Sequence, residues 1–215
     1  MNDFSTRRET MVDTQVRPSD VTKFPIIAAM LAVPRESFVP ASQQEAAYAG
    51  LNVTLARNRV VLEVRSLAKL LDFLDIQPRQ RVLDLACGLG YASAVLVEMG
   101  CDVVAVEEDA GLADGARALL QASGKVQVVT AALTAGAAAA GPYDAIVVQG
   151  GVEQVPDAIL AQLKDGGRIG ALFMDGALGT ARIGLKQDGV VTWRSVFNAT
   201  APVLPGFAAR RGFVL

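Results

Sequence analysis

The chain has 215 residues, 52% hydrophobic and 20% charged, enough apolar material for one sizeable core and too short for two independent domains. Its 20 Lys and Arg against 22 Asp and Glu give a net charge of −2, so no basic surplus points to nucleic acid or an anionic membrane as partner. Histidine is absent, which excludes Ser-His-Asp and Cys-His catalysis and histidine-ligated zinc.

From Asp3 to about Leu74 the apolar spacing predicts helices. IIAAMLAV follows Pro25, and LEVRSLAKLLDFLDI sets Leu62, Leu67, Leu70, Leu71 and Leu74 largely along one face. Between them VPRESFVPASQQEAAYAGLNVTLARNR, rich in Pro, Ser and Asn, reads as connecting structure with one short helix and room for a substrate-facing segment. After QPRQ the pattern turns to strands and helices in alternation: RVLDLA, YASAVLVEMG, CDVVAVEE, AGLADGARALLQASG, KVQVVT and YDAIVVQG. The strands are continuous Val, Ile and Leu runs, which predicts a parallel sheet covered on both faces. TAALTAGAAAAGP is expected to form an Ala-rich helix stopped by Gly141-Pro142. PDAILAQLKDGG then adds a helix ended by its glycine pair, and RIGALFM a strand. ARIGLKQDGVVTWRSVFNA predicts a hairpin turned at Asp188-Gly189, and RRGFVL a last strand.

The expected fold is therefore α/β, a Rossmann-like doubly wound sheet, mostly parallel, with antiparallel C-terminal edge strands and N-terminal helices. It is expected as one domain in three parts, 1–78, 79–175 and 176–215. Cys87 and Cys101 lack CxxC spacing and the first ten residues are polar, which predicts a reduced, cytoplasmic setting. No apolar run approaches the roughly 20 residues of a membrane span.

The strand RVLDL runs into ACGLGY, placing Gly88 and Gly90 in the first strand-to-helix turn, the usual ligand position of an open parallel sheet. Glycines there take positive φ, approach a ligand closely and leave amides free at the next helix N-terminus. Glu107, 17 residues past Gly90, falls at the expected end of the second strand, where an acid accepts ribose hydroxyls. Alternatively it opens the next helix with Glu108 and Asp109. A dinucleotide GxGxxG would need glycine where Ser93 stands. LDLACGLG is instead similar to the DxxxGxG form of S-adenosylmethionine-dependent methyltransferases, which puts Asp84 beneath the loop, ordering its amides and near the cofactor's amino group.

MVDTQVRP, AAMLAVPRESFVP and AAYAG before the loop, and YDAIVVQGGVEQVPDAILAQLKDGGRI after it, resemble the protein-L-isoaspartate O-methyltransferase family from about Thr10 to Arg168. The resemblance implies a class I methyltransferase, S-adenosylmethionine as cofactor, and esterification of the carboxylates of isoaspartyl residues in damaged proteins or peptides, which initiates repair through a succinimide. Displacement at a sulfonium needs an oriented carboxylate more than a base, so the lack of histidine is no obstacle. Asp84, Gly88, Gly90, Tyr91 and Glu107 are the implied cofactor-binding residues.

Three positions depart from the family. Ala86 replaces an early glycine, and Ala131-Ala132-Leu133 replaces a Gly-Asp-Gly whose Asp faces the adenine. Val60-Val61-Leu62 replaces a Thr-Ile-Ser whose hydroxyls lie near the methyl and the acceptor carboxylate. The catalytic residues stay open, since Thr54 serves only through a shifted loop and Ser66 is expected within a helix. Arg57, Asn58, Arg59 and Arg65 suit either an anionic substrate or a solvated basic face. Gln149, before Gly150-Gly151 at the end of the fourth strand, is placed to orient a substrate. Tyr91 either packs near the cofactor or begins a helix in the core, and Cys87 is expected to be a small buried residue rather than a nucleophile. Besides isoaspartyl repair, two readings stay open: another carboxylate or small-molecule acceptor, and a non-catalytic relative that binds the cofactor or a protein partner.

Overall fold

The computed structural model describes residues 3–209, so the expected last strand RRGFVL lies outside the described residues. Helix α1 (Phe4–Met11) begins where the Asp3 side chain accepts from Thr6 N at 3.1 Å, satisfying an otherwise orphaned amide. Helix α2 (Phe24–Ala32) carries Pro25 in its first turn, where a missing N–H is harmless, and buries Ile26, Ile27 and Met30. The segment that follows is more structured than its composition suggests. Two 3₁₀ stretches, Arg35–Phe38 and Ala41–Tyr48, lead into a hairpin of β1 (Val53–Ala56) and β2 (Arg59–Val61). The hairpin turns at Arg57-Asn58, with Asn58 at φ +57°, and pairs Val53 with Val61 and Thr54 with Val60. Helix α3 (Val64–Leu74) buries Leu67, Leu70, Leu71 and Leu74 on one face, while Leu62 is buried just ahead of it.

The larger sheet contains β3 (Arg81–Leu85), β4 (Asp102–Glu107), β5 (Val126–Thr130), β6 (Tyr143–Val152), β7 (Leu163–Asp175), β8 (Leu178–Gln187) and β9 (Val190–Asn198). Their spatial order is β5-β4-β3-β6-β7-β8-β9, parallel from β5 to β7 and antiparallel from β7 to β9. Helices α4 (Tyr91–Glu98) and α5 (Ala110–Leu120) connect the first three strands of this sheet, and α6 (Asp157–Leu160) lies between β6 and β7. The winding reverses between β3 and β6, and that switch point at the carboxyl ends of the strands is where such sheets form their crevice. Along the strands, Val82, Val103 and Ala105 pack with Val95, Leu96 and Ala116, whereas Leu83, Leu85, Val104 and Val106 pack with Leu133, Ile159, Leu204 and Phe207. Both faces are thus covered, which is why the strands read as unbroken apolar runs, each fully buried Val or Leu contributing roughly 1.5–3 kcal/mol. At the β8–β9 turn Asp188 and Gly189 have φ of +50° and +78°, the two-residue geometry whose twist suits a hairpin.

Two expected helices are corrected. TAALTAGAAAAGP forms successive turns with a 3₁₀ turn only at Ala138–Ala140. Gly136 breaks the run at φ +60°, and Gln162 pins it, accepting from Ala137 N at 3.0 Å and donating to Ala135 O at 2.8 Å. These tertiary bonds outweigh the helix propensity of alanine. PDAILAQLKDGG is helical only over α6, and Gly166-Gly167 lie inside β7, in a bulge between the Tyr143–Leu163 and Ala145–Arg168 pairs.

Arg35 fastens the N-terminal part to the sheet layer. It is 1% exposed, its Nε donates to Ala47 O and its Nη2 to Leu62 O, both at 2.7 Å, and its guanidinium lies 4.7 Å from the Tyr91 ring centroid at the start of α4. Arg35→Ala is expected to lower the unfolding free energy by about 3 kcal/mol, because two carbonyls lose a charged donor and a void opens among buried side chains. Urea denaturation followed by circular dichroism checks this, and a loss below about 0.5 kcal/mol contradicts the fastening role.

Candidate functional site

The turn after β3 is built on the neighbouring strand. Ala86 N and Cys87 N both donate to Val106 O, at 2.9 and 3.1 Å, and Gly90 N donates to Cys87 O at 2.9 Å. Ala86, Gly88 and Gly90 all have positive φ, +69°, +58° and +93°. The glycines accept this freely, while Ala86 carries about 1 kcal/mol of strain at the position where the family has glycine. The Gly88 and Gly90 amides are not left free as expected, because Gly88 N donates to Glu107 Oε2 at 2.8 Å.

Asp84 is fully buried on β3, but the loop amides are ordered by Val106 O and Glu107 instead. Its own partners are side chains: Ser93 Oγ donates to Oδ2 at 2.5 Å and Gln149 Nε2 to Oδ1 at 2.9 Å. Ser93, which breaks the dinucleotide pattern, thus serves as a donor to the acid. Burial pushes the Asp84 pKa up to about 6; the Ser93 and Gln149 hydrogen bonds oppose that rise and the nearby Glu107 charge adds to it. Gln149 lies inside β6, which runs on to Val152 and does not end at Gln149 as expected; it is 4% exposed with its amide committed to Asp84, so it is not presented to a substrate.

Glu107 ends β4 as expected, yet its carboxylate is enclosed. Oε2 accepts from Gly88 N and, in a short contact, from Arg59 Nη2; Oε1 accepts from Arg59 Nε at 3.2 Å, Glu108 N at 2.9 Å and Asp109 N at 3.1 Å. A carboxylate offers about four lone-pair sites, so no acceptor capacity remains for ribose hydroxyls. The helix-opening role falls to Asp109, which caps α5 by accepting from Leu112 N at 3.0 Å. Arg59 reaches Glu107 from β2 and is itself 3% exposed. It lies neither on a solvated basic face nor in reach of an anionic substrate.

Leu55 of β1, which the sequence did not single out, completes the closure. A Cβ added at Gly88 would stand 2.4 Å from Leu55 Cδ1, and one at Gly90 2.6 Å from Leu120 Cδ1. The close approach that the glycines permit is made by the chain's own leucines. In this arrangement the loop and the acid implied to hold S-adenosylmethionine are occupied by the chain itself: Leu55 covers the loop and Arg59 has taken the acid.

The remaining candidates lie in the core. Tyr91 is 2% exposed at the start of α4 and packs edge-on to Phe38 with centroids 5.9 Å apart, so its ring belongs to the N-terminal layer and not to the loop's ligand side. Val60, Val61 and Leu62 are buried apolar residues, Leu133 is fully buried, and Ser66 donates to Glu63 Oε1 at 2.6 Å from within α3. Burial raises the Cys87 thiol well above its ordinary pKa, which suits a packing residue and not a nucleophile. Among the described residues no group of Cys, Asp and Glu is placed to hold a metal ion, and no helix is long and apolar enough to cross a membrane.

Residues 6–174 match the sequence model of the family described as protein-L-isoaspartate(D-aspartate) O-methyltransferase. A protein-L-isoaspartate O-methyltransferase of Rhodopseudomonas palustris is 40% identical over 161 residues, 74% of each chain. One of Methylorubrum extorquens is 36% identical over 167 residues, 75% of this chain and 72% of that one. Among solved structures, a protein-L-isoaspartate O-methyltransferase superposes with a TM-score of 0.79 at 24% identity over 93% of this chain and 66% of its own length. A Plasmodium falciparum structure, titled a putative protein-L-isoaspartate O-methyltransferase in complex with S-adenosyl-L-homocysteine, reaches 0.75 at 15% identity over 95% and 99%. The structures share the fold, and the two sequence relatives together with the family match over 6–174 establish the descent: the chain belongs to the protein-L-isoaspartate(D-aspartate) O-methyltransferase family.

Proposed function

We propose that the chain is an S-adenosylmethionine-dependent methyltransferase that esterifies the carboxylate of isoaspartyl residues in damaged proteins or peptides. The observation that carries this reading is the strand-loop-helix at the switch point of a family-matched sheet: Asp84 buried on β3, Gly88 and Gly90 in left-handed turns, and Glu107 ending the adjacent strand. The names of the sequence relatives and the S-adenosyl-L-homocysteine complex of the Plasmodium falciparum protein support the same cofactor. Asp84 and, once accessible, Glu107 and the glycine loop are the groups that would meet it.

An acceptor site is supported at the same end of the sheet. A cleft of about 510 Å³ opens between the approach to the hairpin, the start of α3 and the β7–β8 turn, with Asn52, Glu63, Arg65, Thr180 and Asn198 in its wall. The Arg65 side chain is 47% exposed there and only loosely paired, 3.8 Å from Glu63, so its guanidinium suits an incoming carboxylate. Both cysteines are unpaired thiols, which supports a reduced cytoplasmic setting, and the net charge of −2 favours a protein or peptide partner over nucleic acid. A second reading, a relative without catalysis, is favoured by one observation: Val60-Val61-Leu62 bring buried methyl groups where the family brings hydroxyls.

Transfer of labelled methyl from S-adenosylmethionine to an isoaspartyl peptide, with its aspartyl isomer as control, is expected to be selective for the isoaspartyl form. Cofactor binding without transfer to it would replace isoaspartyl repair by the non-catalytic reading or by another acceptor. Arg65→Ala is expected to raise KM for the peptide roughly tenfold with kcat little changed, the signature of lost uniform binding, in steady-state kinetics. Asp84→Asn should separate stability from binding. A carboxyl whose folded pKa is raised contributes stability below about pH 4 that is lost as pH climbs through about 6, so removing its charge stabilises the protein at pH 7.5 by on the order of 2 kcal/mol. Denaturation at pH 4 and pH 7.5 should show the variant's advantage only at the higher pH, while calorimetry shows weaker cofactor binding.

A further inference from the structure

We infer that the β1–β2 hairpin is a built-in competitor of the cofactor: Arg59 holds Glu107 and Leu55 covers Gly88, so ligand binding must displace both. This rests on the cofactor reading above and adds residues that set its affinity. Three observations carry it. The Arg59–Glu107 pair is buried on both sides, with the side chains 4% and 0% exposed, so it is shielded from water and does not come apart as a surface ion pair does. Leu55 makes its contact at the glycine where a Cβ would stand 2.4 Å from its Cδ1, so any side chain there would collide with it. Both residues belong to one short hairpin of two paired strands turning at Arg57-Asn58, so a single movement of that hairpin frees the acid and the loop together.

The closed state is also imperfect in a way that suits a reversible competitor. Arg59 Nη1 is buried without a hydrogen-bond partner, so the pairing leaves one donor of the guanidinium unsatisfied. Leu55 is only half-buried, in contrast to the fully buried residues of the sheet. A ligand that binds only the open state has its apparent affinity reduced by the fraction of molecules that are open, and weakening the closed state restores it.

The test uses S-adenosylhomocysteine, which binds without reacting, in equilibrium dialysis against the wild type, Arg59→Gln and Leu55→Ala. Each variant is expected to bind about tenfold more tightly or better. In the wild type the Arg59 Nε–H resonance is expected to be protected from exchange without ligand and to lose that protection at saturation. Measurable wild-type binding that is unchanged or weaker in both variants overturns the competitor and leaves the methyltransferase reading standing. Binding by Leu55→Ala where the wild type shows none supports the competitor. No binding by any of the three proteins at millimolar ligand overturns the competitor and the cofactor reading together. Should Arg59→Gln fail to fold, Leu55→Ala and the Arg59 resonance decide the matter, since Leu55 is half-buried and its truncation is mild.

Discussion

The ligand edge of this protein is organised around one buried carboxylate. Glu107 binds the Gly88 amide of the loop after β3, the two amides that open the turn into α5, and the guanidinium of Arg59 from the hairpin. Three segments distant in sequence are held by a single charge, and the charge is tolerable in the interior only because all of them donate to it. Removing any one donor would leave a buried anion less well solvated, so the loop, the helix start and the hairpin are coupled through this residue. The left-handed backbone at Gly88 is part of the same arrangement, since that conformation goes with an amide turned to Glu107 and a bare face turned to Leu55.

The two acids of the site are solvated in different ways, and the difference determines what each can do. Glu107 has a cation. Asp84 has only the neutral donors Ser93 and Gln149, and so burial pushes its pKa up to about 6. Near neutral pH it is an ionised carboxylate without a counter-charge, at the switch point of the sheet. Such a group favours a cationic ligand over a neutral one.

Much of the fold was legible in the sequence because its signals are local. Continuous Val and Ile runs marked the parallel strands, Asp188-Gly189 marked a hairpin turn, and the leucines of α3 marked one helix face. The failures have a common cause, which is tertiary contact overriding local preference. The alanine run from Thr130 to Gly141 had high helix propensity, and Gln162 drew it into turns instead. The glycines at 166 and 167 looked like a helix end, and the register of β7 against β6 absorbed them as a bulge. The β1–β2 hairpin escaped notice because a three-residue strand has no detectable period and Arg57-Asn58 is a weaker turn signal than Asn-Gly. At the site, the positions of Gly88, Gly90 and Glu107 followed from strand order, whereas their partners did not. Arg59 and Glu107 are 48 residues apart, and no spacing rule connects an arginine in a loop-like stretch with an acid ending a strand. Composition made Arg59 appear a surface cation, when a buried acid without another cation was the reason for its place.

The same contrast bears on how the family's chemistry can persist despite the departures in this chain. Hydroxyls at 60–62 are absent and Val60, Val61 and Leu62 are buried apolar residues, whereas Ala132, which stands where the family has an acid, is exposed. Apolar walls favour collapse of the hairpin onto the loop, because each methyl removed from water adds to the closed state. The substitutions and the closure therefore support one another: losing hydroxyls makes the closed form more stable, and a hairpin that closes no longer needs them to line a wet cavity. What opposes permanent closure is polar, namely the unpartnered Arg59 Nη1 and the uncompensated charge on Asp84. A ligand able to bring a cation to Asp84 would satisfy a group that the closed state leaves wanting, and hydroxyls given to Glu107 would replace the bonds that Arg59 takes away on opening, which sets the chemical character of whatever opens it.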